Sequence, residues 1–394
     1  MNNITQKENC CGCSACFNIC PKNAITMKED EKGFLFPNIN NDICINCGLC
    51  KKVCPIENEI NDNEFNQEFY GVKNKDNDIR EKSSSGGVYN ELIKYVLQRD
   101  GICYGAVYNK DFEVKHCRAV DEEECKKQLG SKYVQSEIGT TFKKVKEDIK
   151  KGKLVLFSGT PCQIQGLKNF IGNIDMTNLI LCDIICHGVP STYILKKYIK
   201  ELEKRYKSKI VKIDFRKKDK NFGIKNMFII FESGKKVFIP SYHDNFYHLF
   251  ERELIARECC SNCKFANLNR TGDISIGDFW GIEKFNKDFN DNKGVSLVIV
   301  NSNKGKEIFD SIKDNFNIIE SNSENSKQPS LEKPTSKNKY YYDFWNDVNK
   351  YDLDYLDIKY SNRSKIKKVI GQYLCKLGIN HKIDKIKKKE IVKS

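Results

Sequence analysis

The sequence predicts a mixed α/β (α+β) protein built from three parts: a small cysteine-rich N-terminal domain, a larger α/β domain and a helical C-terminal annex. Within the first 55 residues, eight cysteines form two copies of one spacing. Short apolar runs of strand length then alternate with longer amphipathic runs of helix length. With 394 residues and 39% hydrophobic content, the chain is long enough for two to three domains with a sizeable core.

The N-terminal cysteines repeat the run C-x2-C-x2-C-x3-C-P, first from Cys10 to Pro21 and again from Cys44 to Pro55. This run holds the [4Fe–4S] clusters of bacterial two-cluster ferredoxins, where the fourth cysteine of each copy binds the other cluster. The clusters then do the structural work that a core does in larger domains, and Cys11 is a spare. We therefore expect the first cluster on Cys10, Cys13, Cys16 and Cys54, and the second on Cys44, Cys47, Cys50 and Cys20.

Zinc is the alternative for paired C-x2-C units, but zinc sites need two pairs separated by a longer loop and have no use for the fourth Cys-Pro. Nineteen cysteines behind an N-terminus without an apolar signal region favour a reducing compartment and metal ligation over disulfides. No stretch approaches eighteen apolar residues. We therefore expect a cytoplasmic protein without a transmembrane segment.

Composition divides the rest of the chain. Residues 57–69 are polar and acidic, which is typical of a linker, and they separate a ferredoxin domain at 1–58 from an α/β domain at 70–320. A loop rich in Ser, Asn, Lys and Pro then precedes the helical annex at 340–394. Within the α/β domain, apolar periodicity predicts strands at 102–108, 112–119, 154–157, 179–185, 211–216, 227–231, 237–240 and 295–300. It also predicts helices at 88–98, 140–150, from 163, at 191–206 and at 242–257.

A second set of cysteines falls where loops leave strands or in a C-x2-C pair: Cys162, Cys186, Cys260 and Cys263. Functional groups gather at the carboxyl ends of strands in α/β sheets, so these thiols are candidates for a third [4Fe–4S] cluster. Because Cys162 stands just before a helix, we expect its pKa to be lowered. Alternative members of the set are Cys182 and Cys259. The remaining cysteines are expected to be small core residues: Cys103, Cys117, Cys125 and Cys375.

Five segments occur in a fixed order: SSSGGVYNELIKYVLQRDGICYGAVY, GSKYVQS, VLFSGTPCQIQGL, CDIICHGVPS and CCSNCKFANLNRTGDISIGDFWG. Together they resemble the coenzyme F420 hydrogenase/dehydrogenase beta-subunit family, fused behind a two-cluster ferredoxin module, over residues 1 to about 300. The resemblance implies an iron–sulfur flavoprotein with FAD on the α/β domain and a [4Fe–4S] cluster beside it. Cys182 and Cys259 do not belong to the family pattern, which supports the other four cysteines as the third ligand set.

The resemblance also implies where the flavin lies: near Ser84, Ser85, Gly86, Gly87, Lys132, Tyr133, Gly159, Thr160 and Gln163. Small residues at a helix start let backbone N–H groups approach a pyrophosphate, although a Ser/Gly cluster alone is more often only a turn. There is no G-x-G-x-x-G run, so the ordinary Rossmann fingerprint is absent. His187, beside Cys186, is the candidate catalytic residue as a proton relay; its alternative role is to satisfy a backbone carbonyl.

The net charge of +14 is unevenly distributed. Residues 363–394 carry eleven basic against two acidic side chains, whereas residues 1–70 carry six basic against ten acidic ones. The basic tail is either a solvated helical face or a weak contact with an anionic membrane surface. A nucleic-acid-binding protein with structural metal fits the tail alone, because no recognisable module or aromatic-basic stripe accompanies it, and we expect no nucleic-acid partner.

These observations predict an iron–sulfur flavoprotein oxidoreductase that exchanges electrons with a ferredoxin-like carrier and acts on a small-molecule substrate. Its expected cofactors are two [4Fe–4S] clusters in the N-terminal module, a third [4Fe–4S] cluster and FAD. A flavin can pair single electrons into hydride chemistry, which clusters alone cannot do. The alternative is a non-catalytic electron-relay subunit of a larger redox complex. Nothing in the sequence identifies the substrate, the direction of electron flow or the oligomeric state.

Overall fold

The computed structural model describes residues 4–58, 65–219 and 223–361. The chain divides into two compact units, the first comprising residues 1–193 and 256–336 and the second residues 194–255 and 337–394. These boundaries differ from the predicted domains at 1–58, 70–320 and 340–394. The part of the predicted annex beyond Ser361, with Cys375 and the basic tail, lies outside the described residues.

The N-terminal cysteine repeats surround a small hairpin. Its elements are α1 (Ala15–Ile19), β1 (Ile25–Glu29), β2 (Leu35–Ile39) and α2 (Leu49–Lys52). The two strands are antiparallel, with Ile25 opposite Ile39. Each helix follows a residue in the left-handed backbone region, Ser14 or Gly48, within its cysteine loop.

The remaining strands of the described chain are β3 (Glu68–Asn74), β4 (Ile102–Tyr108), β5 (Val114–Ala119), β6 (Val155–Gly159), β7 (Leu179–Ile184), β8 (Ile210–Asp214), β9 (Asn226–Phe231), β10 (Lys236–Pro240), β11 (Ile274–Asp278), β12 (Ser296–Val300) and β13 (Phe316–Ser321). The remaining helices are α3 (Asn77–Lys82), α4 (Val88–Leu97), α5 (Glu122–Lys126), α6 (Thr141–Lys150), α7 (Pro161–Ile171), α8 (Thr192–Tyr206), α9 (Asn245–Glu251), α10 (Ile282–Phe285), α11 (Asn303–Ile312), α12 (Pro329–Glu332), α13 (Tyr341–Asp347) and α14 (Leu353–Tyr360). The predicted helix at 242–257 is shorter, because a 3-10 turn at Ser241–His243 precedes α9 and the chain leaves the helix after Glu251.

Eight of the described strands form the sheet of the first unit, in the order β13-β3-β12-β11-β7-β6-β4-β5. Strands β4, β6, β7 and β11 are parallel neighbours, and β3 runs in the same direction because β12 is antiparallel to both β11 and β3. The carboxyl ends of these five strands therefore lie at one edge. The mixed α/β prediction is confirmed, although β3, β11 and β13 were not predicted.

Apolar layers cover both faces of this sheet. Helices α4 and α11 pack on one face through residues such as Leu92 and Phe309, and α6 and α7 pack on the other through Phe142 and Leu167. The N-terminal domain joins the second layer, where Cys13, Ala15 and Val53 share the core of α6 and α7. At Gly166 of α7 a Cβ atom would lie 2.9 Å from the Cys13 Sγ, so a glycine is needed for this close packing. This shared core places the N-terminal domain and the sheet in one unit.

The second unit contains a three-stranded antiparallel sheet, in the order β10-β9-β8, together with α9, α13, α14 and most of α8. The buried Tyr198 hydroxyl donates to the Asp244 carboxylate, which caps α9. Burial raises the pKa of Asp244 to about 6. Across the part of the chain that the structure describes, no helix has the length and apolar character needed to cross a membrane.

Candidate functional site

Segments that the sequence singled out meet at the carboxyl edge of the sheet in the first unit. The loop at 83–87 joins α3 to α4 and returns to the end of β3, where the Asn74 N–H donates to the Gly86 carbonyl over 2.8 Å. Thr160 and Cys162 follow β6, and the segment at 185–190 follows β7. Parallel strands bring the loops after their carboxyl ends to the same edge, and ligand sites form there. The topology therefore places the predicted flavin segments and two of the predicted cluster ligands side by side.

The first predicted cluster site draws cysteines from both repeats. The thiols of Cys10, Cys54 and Cys50 all interact electrostatically with Cys16, and Cys10 also interacts with Cys54. Cys16 and Cys54 share one small core. Cys54 belongs to the second repeat, so the fold brings the fourth cysteine of one repeat to Cys10 and Cys16 of the other, and Cys13 interacts with Cys16.

The second predicted cluster site surrounds a cavity of about 230 Å³. Its lining includes the four predicted ligands: Cys20, Cys44, Cys47 and Cys50. Cys20 comes from the first repeat, which is the reciprocal crossing. Among the residues that the structure describes, no group of three His, Cys, Asp or Glu side chains is arranged to hold a single metal ion, and this includes the present site. A cubane instead spreads its four thiolates around four irons, and the donor set at this cavity has the soft chemistry that such a cluster needs.

The third set of cysteines is assembled from three separate segments. Pro190 and Ala256 form an isolated β-bridge, and the backbone N–H of Arg257 donates to the Val189 carbonyl over 2.9 Å. These bonds bring the turn after Cys186 next to the 3-10 helix Glu258–Asn262, and a Cβ atom at Gly188 would lie 3.8 Å from the Cys260 Sγ. The thiols of Cys186 and Cys263 interact electrostatically with Cys162.

The prediction of a lowered pKa at Cys162 is wrong. The Cys11 thiol hydrogen-bonds Cys162 and, together with burial, raises the pKa of Cys162 well above its usual range. Burial likewise raises the pKa of Cys263 to about 12. Hydrogen bonding and burial outweigh the effect of the helix N-terminus here. Cys11, expected to be a spare, lies buried between Cys13 and Cys162.

The remaining cysteines separate clearly by location. Cys259 accompanies the third set and hydrogen-bonds Cys260, whereas Cys182 is buried in the layer on the opposite face of the sheet. Cys103 and Cys125 are also buried there, as predicted, while Cys117 is exposed on β5 because its side chain points away from the core. Cys182 is therefore remote from the third set, and Cys259 is adjacent to it.

A buried ion pair joins two of the three segments that carry this set. Arg270, only 5% exposed, donates to the Asp183 carboxylate, which also accepts the Gly272 N–H over 2.8 Å. The same guanidinium donates to the carbonyls of Phe265 and Ile184. Asp183 lies three residues before Cys186, and Phe265 lies two residues after Cys263. The pair therefore fixes the two cysteine loops against one another, and no sequence spacing identified it.

Three predicted flavin segments converge at this edge. The Ser131 N–H and hydroxyl both contact the Ser84 Oγ, at 2.8 and 3.0 Å. The Ser158 hydroxyl, beside Gly159, donates to the Tyr89 hydroxyl of α4 over 2.8 Å. These bonds tie the loop at 83–87 to residues 131–133 and to the end of β6. Gly87, at φ +91°, precedes α4 without a side-chain cap, so backbone N–H groups of the first turn face this junction.

Several of these flavin candidates also have internal partners. The Lys132 ammonium donates to the carbonyls of Gln128, Leu129 and Gly130 at 3.0 to 3.3 Å. Gln163 is buried and completes a capping box with Thr160. Gly86 is needed for packing, since a Cβ atom there would lie 2.2 Å from the Val72 carbonyl. Gly159, Ser85 and Tyr133 lie in the same three segments. The segments are placed together, and part of their chemistry stabilises the fold.

His187 lies between an aromatic ring and a hydroxyl. Its imidazole stacks on Trp280 with ring centres 4.3 Å apart and planes 13° apart, and Nδ1 contacts the Ser330 hydroxyl. The backbone N–H of Trp280 donates to the Gln328 Oε1 over 3.2 Å. Trp280 and Ser330 therefore both contribute to the orientation of the His187 ring. Trp280 and Ser330 were not predicted, because only the fold brings residues 280 and 330 to residue 187.

Three models of known protein families match parts of the chain. Residues 69–143 match the N-terminal domain of the coenzyme F420 hydrogenase/dehydrogenase beta subunit, and residues 152–326 match its C-terminal domain. The chain belongs to this beta-subunit family. Residues 9–58 match a 4Fe-4S dicluster domain, so the predicted two-cluster module is confirmed as a domain.

Relatives of the protein include chains from Methanosarcina and Methanocaldococcus species. It is 23% identical to one of the subunits of the F(420)H(2) dehydrogenase of Methanosarcina mazei, over 80% of this chain and 86% of that protein. It is 29% identical to the coenzyme F420-dependent sulfite reductase of Methanocaldococcus jannaschii over 43% of this chain, but this match spans only 26% of that protein. A chain of the F420-reducing [NiFe] hydrogenase complex from Methanosarcina barkeri has 18% identity and a TM-score of 0.44 over 77% of this chain and 93% of that chain.

Proposed function

We propose that the protein is an iron–sulfur flavoprotein oxidoreductase that passes electrons between a ferredoxin-type carrier and a small-molecule substrate. The observation that carries the proposal is at the end of β6, where Thr160 and Cys162 are adjacent. Thr160 belongs to the predicted flavin segments and Cys162 to the third cysteine set, and the Thr160 hydroxyl lies 3.1 Å from the Cys162 Sγ. A flavin and a cluster bound by these residues would be neighbours.

The ligands of this proposal are three sets of four thiols. Crossed ligation assigns Cys10, Cys13, Cys16 and Cys54 to the first cluster and Cys44, Cys47, Cys50 and Cys20 to the second. The third cluster is assigned to Cys162, Cys186, Cys260 and Cys263. Support comes from the cavity that Cys20 shares with the second repeat and from the position of Cys54 beside Cys10 and Cys16.

When bound, clusters supply one-electron transfer and FAD couples it to two-electron chemistry. The residues that would hold FAD are Ser84 to Gly87, Ser131 to Tyr133, and Gly159 to Gln163. Backbone N–H groups at Gly87 and the start of α4 suit a pyrophosphate, and the small side chains permit its approach. We assign no phosphate contact to Lys132, because three backbone carbonyls already hold its ammonium.

His187 is proposed to exchange a proton with the substrate. Stacking on Trp280 and the Ser330 contact fix its ring orientation, which a proton donor needs. The position of His187 directly after Cys186 places this proton beside the third cysteine set. Coenzyme F420, which appears in the names of the relatives, is the first compound to test as a substrate.

The carrier is proposed to dock at the second cluster site. Cys47 is exposed there, and Ile43, Ile45 and Leu49 around it are 47%, 57% and 36% exposed. The cavity lining contains Lys22 and Lys51 and no carboxylate, although residues 1–70 are acidic as a whole. An apolar surface with a basic rim suits a small acidic electron carrier.

A non-catalytic relay subunit is the second candidate, because the relative from Methanosarcina mazei is named as a subunit of a dehydrogenase. Such a subunit would keep its clusters and lack flavin. The two candidates are separated by the flavin content of the purified protein.

Anaerobic purification tests the proposed function directly. The expected protein contains about twelve irons per chain, from three cubanes of four irons, and releases one FAD on denaturation. Flavin release is measured by fluorescence and iron by colorimetric assay. Twelve irons without flavin would favour the relay subunit, and a colourless zinc protein would contradict both candidates. Cys20→Ser should remove the second cluster and spare the first, whereas Cys11→Ser should retain both.

A further inference from the structure

Arg257 connects the N-terminal domain to the α/β domain within the first unit. Its side chain is 2% exposed, and its three donor nitrogens have separate partners. Nε donates to the Cys10 carbonyl over 2.7 Å, Nη1 to the Gln135 Oε1 over 2.7 Å, and Nη2 to the Leu35 carbonyl over 2.9 Å. The guanidinium also lies over the Phe36 ring, 4.2 Å from its centre. Every one of these partners is uncharged.

A buried cation needs a counter-charge. An arginine stays protonated in proteins, and leaving its charge unpaired in the interior costs several kcal/mol. The other deeply buried arginines of this unit satisfy the rule, since Arg80 pairs with Asp291 and Arg270 with Asp183. Within the described residues, Arg257 has no carboxylate partner. Its counter-charge must therefore come from another source.

Cysteines lie near Arg257, and the backbone N–H of Cys260 donates to the Arg257 carbonyl over 2.9 Å. The sulfur groups that act on it electrostatically are Cys259, Cys10, Cys11 and Cys260. Cys10 is a proposed ligand of the first cluster and Cys260 of the third. Gly12 makes room for this contact, because a Cβ atom there would lie 2.8 Å from the Arg257 Nη1. Four thiolates outweigh the positive charge of a cubane core, so each cluster site is an anion that reduction makes more negative.

We propose that Arg257 is the shared counter-ion of the first and third cluster sites, and that its charge raises the reduction potential of both. The third-cluster half of this inference rests on the proposed function, whereas the first-cluster half needs only the dicluster domain. A fixed cation beside a cluster favours the reduced form, and charge near a cluster is one of the determinants of its potential. Arg257 is thus a positioning residue whose charge acts on two neighbouring electron carriers.

Three substitutions in the full-length protein separate this electrostatic role from a purely structural one. Arg257→Gln removes the charge. Arg257→Lys keeps the charge but cannot make three bonds in one plane. Gln135→Glu keeps the arginine and its three bonds and supplies the missing carboxylate. It gives up the hydrogen bond that the Gln135 side-chain N–H donates to the Cys11 carbonyl over 2.8 Å, so its iron content is compared with that of the wild type before its potentials are. The readouts are iron per chain and the midpoint potential of each cluster, measured by EPR-monitored redox titration.

We expect Arg257→Gln and Gln135→Glu each to shift the reduction equilibrium of the first and third clusters about tenfold toward the oxidised form, which is about 59 mV for a one-electron couple. Arg257→Lys should stay within about threefold of the wild type, and the second cluster should be unchanged in all three proteins. Unchanged first-cluster potentials in Gln135→Glu would overturn the proposal, even if Arg257→Gln fails to fold. A wild-type iron content of eight would instead contradict the third cluster of the proposed function, and the first-cluster test would still stand.

Discussion

The second cluster site and the third cysteine set contrast in how they are built. Three of the four cysteines at the second site lie within seven consecutive residues, and Cys47 is exposed. The third set comes from segments near residues 162, 186 and 260, joined by the bridge between Pro190 and Ala256 and by the pair of Asp183 with Arg270. One site is local and exposed, and the other depends on the tertiary fold.

This difference separates two tasks of an electron-transfer protein. An exposed cluster can receive electrons from a diffusing carrier protein, because the carrier can approach it closely. The proposed third cluster, whose cysteines are half-buried beside the proposed flavin segments, would pass electrons inward. Long-range packing has little influence on electron uptake at the exposed cluster, whereas it determines electron transfer at the third cysteine set. Changes in the interior should therefore have larger effects than changes at the exposed rim.

The strongest test of the contrast is Cys263→Ser. Because the third set shares no ligand with the dicluster domain, this protein should lose about four irons and keep about eight. Flavin should stay bound, dithionite should still reduce it, and reduction by a reduced ferredoxin should collapse. Cys259→Ser is the matched control, since the neighbouring thiol is not a proposed ligand. Full iron and normal ferredoxin-driven reduction in Cys263→Ser would contradict the third cluster.

Asp183→Ala tests whether the ion pair holds the internal site together. It leaves Arg270 buried without a partner, which should destabilise the fold by about 3–5 kcal/mol. Thermal melting and iron content of the anaerobic protein measure the loss. Combining Asp183→Ala with Arg270→Met should restore much of the stability, because the uncompensated charge is gone. Asp111→Ala, at the surface, is the control, and its free energy of unfolding should stay within about 0.5 kcal/mol of the wild-type value. If Asp111→Ala destabilised the fold as much as Asp183→Ala, the loss could not be attributed to the ion pair.

Acid should weaken the interior through His116. Burial lowers the pKa of His116 to about 4, below the ordinary value of 6.5, and the ring packs flat on Phe157 under the end of β6. The unfolded chain binds the proton first as the pH falls, so this contribution is complete above pH 6.5 and decreases between about 6.5 and 4. We expect a loss of about 1 kcal/mol between pH 7.5 and 5.5. His116→Gln should remove that part of the pH dependence of thermal stability; an unchanged profile would show that His116 does not cause it.

The smallest effect is expected at the exposed rim. Lys51→Glu should lower the second-order rate of electron transfer from an acidic ferredoxin about three- to tenfold at low salt, with little effect at high salt. Stopped-flow absorbance measures the rate, and iron content should be unchanged. Lys144→Glu, on the exposed side of α6, is the control with the same change in charge. Equal slowing by both substitutions would show that the carrier responds to net charge rather than to this surface.

Local sequence patterns predicted many of the strands and helices. Alternating apolar residues and flanking turns predicted β4 at its observed bounds and α4 to within one residue. Strand β3 was not predicted, because it begins at Glu68 inside a segment whose polar composition resembles a linker. Strands β11 and β13 are five and six residues long and carry too weak a period to stand out.

The two-cluster module is determined by sequence alone, because a cubane requires its thiolates at short, fixed spacings that a chain of any other fold does not need twice. The partners of the internal site were decided by tertiary structure. Arg257, Asp183, Arg270 and Trp280 carry no spacing signal, since each acts on residues that are distant in the chain. These side chains lose contact with water only when the sheet, α7 and the N-terminal domain pack together. Their charges and rings interact strongly with their neighbours because of that burial.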